Sequence, residues 1–97
     1  MLDKLTSADF AAYLHQPFRI RLEGMEPLET ELIEVTELGE AAPGRRRAFS
    51  LIFRGPRQIV LPQQIYPLEH KVMGALDLFL VPIGPDQAGM RYEAIFT

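Results

Sequence analysis

Apolar residues along the chain follow a helical spacing first and then, past Pro17, a strict alternation. Phe10, Tyr13 and Leu14 fall at i, i+3 and i+4, one face of a helix. Thr6 is placed to cap that helix, with Asp9 three residues on as a short-armed capping box. Leu5 and Phe10 flank the cap as a hydrophobic staple. Pro17 ends the segment, because the residue before proline avoids the α region. The spacing predicts a helix over about residues 7–15. Two turns alone are marginal in water, so this helix has to dock on something.

After Pro17 the period is two. Six strands follow, at about 17–23, 28–38, 47–54, 64–70, 75–83 and 90–96. Phe18, Ile20 and Leu22 share one face of the first strand, and Leu28, Thr30 and Leu32 one face of the second. Pairing Leu22 with Leu28 sets Ile20 against Thr30 and Phe18 against Leu32, with Arg21 beside Glu29 and Arg19 beside Glu31. Ile33 and Val35 continue on the opposite parity, so one extra residue, a β-bulge, is expected near Leu32–Ile33. Pro67 cannot donate to a ladder, which places the fourth strand at an edge or leaves that position unpaired. The fifth strand is apolar on both faces: Leu76, Leu78 and Leu80 on one, Phe79, Val81 and Ile83 on the other. Such a strand is central or lies under a docked element, for which the helix around Phe10 and Tyr13 is the candidate. The segment from Arg57 to Gln63 carries Ile59, Val60 and Leu61 between prolines, so it is expected to pack over an open end of the core.

Consecutive antiparallel strands leave two exposed edges, and joining the first strand to the last removes both. The fold class expected is therefore mainly β: a six-stranded antiparallel barrel, with a rolled sheet or small sandwich as alternatives, and one short N-terminal α-helix. The 97 residues make one domain, 1–97.

Composition narrows the function classes. There is no cysteine, which excludes disulfides, thiolate nucleophiles and cysteine-based zinc sites. The first residues hold no apolar core of a secretory signal, and no apolar run approaches the ~18 residues that span a bilayer. A cytoplasmic protein without membrane association is the expectation. The net charge of −3 argues against nucleic acid as a partner.

Candidate chemistry is sparse. His15 and His70, the only histidines, show no metal-ligand spacing and read as surface or capping residues. No nucleophile elbow, phosphate loop or dinucleotide fingerprint occurs, and Ser7 and Ser50 read as helix-start and strand residues. Glu23, Glu26, Glu29, Glu31, Glu34, Glu37 and Glu40 read as a solvated acidic face. Arg45, Arg46 and Arg47 form a basic cluster that reads as a mobile hairpin tip, or as an anion or acidic-partner patch that meets the acidic stretch between subunits. No catalytic residue, metal or cofactor is expected. If the barrel binds a small ligand or anion, Arg54, Arg57, Tyr66 and Arg91 are the candidate contacts.

Several strings carry a resemblance. They are Phe53-Arg54-Gly55-Pro56, Leu61-Pro62-Gln63, Tyr66-Pro67-Leu68-Glu69-His70, Leu78 through Pro85, and Tyr92-Glu93-Ala94-Ile95-Phe96. With the opening Leu5-Thr6 and Asp9-Phe10, they resemble, over nearly the whole chain, an uncharacterised small bacterial domain family of unknown function. Members of that family are sometimes encoded near phage-tail-collar-like proteins, which implies an accessory or assembly role and supplies no site residues. The function expected is a non-enzymatic protein-interaction or assembly module with a protein partner or a homo-oligomer. A small-ligand or anion-binding barrel is the alternative, and an enzyme of unknown class is the last.

Overall fold

Alternation past Pro17 commits every second side chain to an interior, and the computed structural model, which describes residues 2–97, shows that interior closed all round. After a 3-10 turn at Leu2–Lys4 and helix α1 at Ser7–Ala11 come six strands. They are β1 Pro17–Ile20, β2 Leu28–Leu38, β3 Ala48–Gly55, β4 Gln64–His70, β5 Gly74–Pro85 and β6 Met90–Phe96. All pair antiparallel, in the order β1-β2-β3-β6-β5-β4, with β4 returning to β1.

Closure is thus not first strand to last. The chain leaves β3 and crosses the barrel end before it enters β4. Leu61 is buried in the core there, with Ile59 packed beside it. The Tyr92 hydroxyl accepts from the Leu61 N–H (3.0 Å) and donates to the Ile59 carbonyl (3.2 Å), while the Tyr66 hydroxyl donates to the Pro62 carbonyl. This crossing carries β4 away from β3 and leaves the β3 edge to β6. The expectation that residues 57–63 cover an open end holds for Leu61 and Ile59, while Val60 is exposed.

The opposite end is closed by α1. Phe10 is fully buried, its ring 5.9 Å from Phe49 and 5.4 Å from Phe96, which stack on each other at 4.6 Å. Burying a phenylalanine in this way contributes roughly 2–3 kcal/mol. The Thr6 N–H donates to the Asp9 carboxylate at 2.8 Å, as the capping pattern predicts. The helix stops at Ala11, short of His15, because residues 12–16 are wound into tighter turns. His15 then takes a left-handed φ of 69° and donates its N–H to the Leu32 carbonyl, which swings the chain into β1. Since α1 serves this end, it does not cover the second face of β5, and Phe79 stands in solvent.

β1 is shorter than predicted. Phe18 faces Thr30 and Ile20 faces Leu28, two residues out of the expected register. The buried Thr30 hydroxyl fixes this by donating to the Phe18 carbonyl at 2.8 Å. Neither expected cross-hairpin ion pair forms: Arg21 turns to Glu69 (3.5 Å) and Glu31 to His15 (3.0 Å). The bulge is where the parity change put it, since Leu32 faces Phe53 and the next pair is Glu34 with Ile52. Pro67 faces Asp77 in β5, and its carbonyl accepts from the Arg21 N–H. Its nitrogen therefore points to the β1 side, where the ladder has only two residue pairs. Among the described residues no helix is long and apolar enough to cross a membrane.

Candidate functional site

Three of the four predicted ligand contacts meet at the β5–β6 turn. Arg54 on β3 donates from Nη2 (2.6 Å) and Nε (3.0 Å) to the Asp86 carboxylate. Arg57 donates to the Asp86 carbonyl, and Arg91 donates to the Gly84 carbonyl at 3.3 Å. The same carboxylate accepts from the Ala88 and Gly89 N–H groups, at 2.9 and 3.0 Å. Its hydrogen bond with Arg54 holds the Asp86 carboxyl down at about 2, the N–H groups helping, and in return raises the Arg54 guanidinium. Gly89 closes the turn against β3 so tightly that a Cβ there would lie 2.2 Å from the Gly55 carbonyl oxygen. Tyr66 lies elsewhere, bonded to Pro62, and burial pushes its phenol up. The arginines therefore converge, but on a carboxylate and carbonyls of the chain itself. The barrel interior beside them is filled by side chains such as Phe53, Leu80, Met90 and Tyr92.

His70 lines a cleft of about 460 Å³ together with Glu29, Glu69, Arg19 and Lys71. A histidine between carboxylates is the usual beginning of acid–base chemistry. Here both ring nitrogens are already engaged. Nδ1 accepts the N–H groups of Val72 (3.1 Å) and Met73 (3.2 Å), so it carries no proton. Nε2 then holds the hydrogen of the neutral ring and donates to Gln16 Oε1 at 2.8 Å. Tyr13 and Phe18 pack on the ring at 4.4 and 4.6 Å. Desolvation, with Lys71 adding to it, lowers the His70 pKa. The capping expectation is right, but the residue is buried and not on the surface. His15 is exposed and paired with Glu31.

The basic cluster is not a free tip. Arg46 reaches over the α1 end of the barrel, donating to the carbonyls of Leu2, Leu5 and Thr97, with its guanidinium over the Phe49 and Phe96 rings. Arg47 donates to the Gly39 carbonyl at 2.6 Å and pairs with Glu37 at 3.3 Å. Only the side chain of Arg45 is left without a bond among the described residues.

The feature that sequence reasoning missed lies on the outer face of β4, β5 and β6. Ile65 and Phe79 are directly opposed across the β4–β5 ladder and are 64% and 49% exposed. Ile95, 58% exposed, lines the same cleft as Phe79. Val81 and Ile83 continue the apolar row along β5, half-buried and exposed. The signal was present in the sequence: β5 is apolar on both faces, and one two-turn helix cannot cover a sheet face and a barrel end at once.

A barrel filled by its own side chains, with its arginines and buried histidine bonded to its own turns and an uncovered apolar row outside, defines a small β-barrel domain. The chain belongs to the family described as a domain of unknown function, DUF6916, whose profile matches residues 5–96. No curated protein and no solved structure gives a significant match.

Proposed function

We propose that this domain is a non-enzymatic protein-interaction module whose contact face is the outer surface of β4, β5 and β6. One observation carries the reading: Ile65, Phe79 and Ile95 stand exposed on three neighbouring strands. Single exposed apolar residues are ordinary, whereas contiguous ones mark contact surfaces. Met25, Val60 and Val72 are equally exposed but sit singly in turns and connections. Anion binding at Arg54, Arg57, Arg91 and Tyr66 has less behind it, because the donors named above are spent on Asp86, Gly84 and Pro62.

The test is the double substitution Phe79→Asp with Ile95→Asp, outward positions at which folding should survive. Light scattering reads self-association, and affinity capture from the native host reads other partners. The module reading expects association or capture by the wild-type domain and its loss in the folded double variant. A monomer that captures the same proteins with and without the substitutions refutes it.

A further inference from the structure

The apolar row borders a stretch of the closed barrel where one ladder is incomplete. The β5–β6 ladder contains only Val81–Pro85 against Met90–Glu93, although β5 begins at Gly74 and β6 runs to Phe96. Beyond Val81 and Glu93 no residue pair continues the ladder. A cleft of about 220 Å³ opens there, lined by Asp77, Phe79, Ile95 and Thr97 among others.

The pairing pattern tells which backbone groups face this opening. In an antiparallel sheet a residue's N–H and C=O point to the same side, and successive residues alternate. The Pro67 carbonyl bonds to β1, so the even residues of β4 bond to β5. Their partners are Leu76, Leu78 and Leu80, which leaves Asp77 and Phe79 turned toward β6. Val81, two residues further on, does pair with Glu93. By the same alternation Ile95 on β6 turns toward β5. The Phe79 and Ile95 main chains thus face each other across the cleft outside the ladder.

We infer that this opening is a strand-addition site, in which an extended segment of a partner protein pairs with the free main chain of β5 at Asp77 and Phe79. The inference rests on the interaction-face reading and gives its occupant. What lies outside the β5–β6 ladder is backbone at a period of two, and its complement is an extended backbone. Side chains narrow the chemistry. Asp77 is exposed and Glu93 half-buried beside the cleft, and neither has an ion-pair partner among the described residues. The matching strand is apolar on its inward face, toward Leu78, and carries a basic residue outward near Asp77, while Phe96 is covered by Arg46.

The experiment is amide exchange by NMR on the intact domain, free and with a capped synthetic peptide, Thr-Val-Arg-Val-Thr-Val-Arg. In the free domain the Leu78 and Leu80 amides should be protected and those of Phe79 and Ile95 should exchange at least about tenfold faster. The peptide should shift the Asp77, Phe79 and Ile95 signals and slow their exchange, and its analogue N-methylated at alternate residues should not. Equal protection of Phe79 and Leu78 in the free domain overturns the inference, as does a peptide without effect at millimolar concentration. If both peptides shift Phe79 and Ile95 equally, strand addition is wrong while the apolar contact face stands. If the aspartate variant keeps every partner, the face itself is wrong.

Discussion

A single guanidinium, that of Arg46, gathers the carbonyls of Leu2, Leu5 and Thr97 while covering two aromatic rings. Arg46→Ala should lower the unfolding free energy by about 2 kcal/mol, since three carbonyls lose a charged donor at once. Arg45→Ala, beside it, should stay within about 0.5 kcal/mol of wild type. Urea denaturation of both variants checks the contrast. His70 makes a different kind of prediction. Its pKa in the fold lies below the ordinary value of 6.5. As pH falls, the unfolded chain takes up this proton first, so stability is full above about pH 6.5 and declines below it. Protonating Nδ1 would also break its two bonds from Val72 and Met73. Denaturation between pH 8 and 5 should show the decline in wild type and a flatter profile in His70→Gln. Of this, only a capping role for histidine was legible in the sequence. Arg45, Arg46 and Arg47 look alike as a string, and only the position of the barrel end separates them.

Among the elements, the strands were read closely because side-chain parity is dictated residue by residue. The bulge at Leu32–Ile33 came from the same parity. The register of β1 on β2 was not readable in this way. A slip of two residues leaves every side chain on its own face, so the apolar pattern cannot oppose it. The choice fell to the Thr30 hydroxyl and to the Arg21 N–H bonding across to Pro67. The β5–β6 turn likewise depends on a partner far away in sequence, Arg54. With the Asp86 carboxyl at about 2 in the fold against an ordinary 3.8, its stabilisation is present above about pH 4 and lost as pH falls toward 2. Asp86→Asn keeps an acceptor for the Ala88 and Gly89 N–H groups but cannot titrate. Thermal melts between pH 5 and 2 should therefore show a shallower acid decline in the variant.

For the whole molecule, closure was predictable and its topology was not. Antiparallel strands with two open edges have a physical reason to close. Which strands meet depends on how the 56–63 connection crosses the barrel, and its bonds to Tyr92 and Tyr66 span sequence distances that no local pattern reports. The uncovered row at Ile65, Phe79 and Ile95 was signalled by the two-sided apolar β5, and the docking of α1 at the Phe49–Phe96 end settles which face stays bare.

That Arg46 bonds both the Leu2 and the Thr97 carbonyls puts the two extremities of the described chain within one side chain's span of each other. A short glycine–serine bridge should join them without disturbing any strand, and new ends opened at Ala42–Pro43, in an exposed loop, should yield a circular permutant with a native β spectrum. The same closeness suits the domain to insertion as a guest into a surface turn of a host protein, which it would enter and leave at one point.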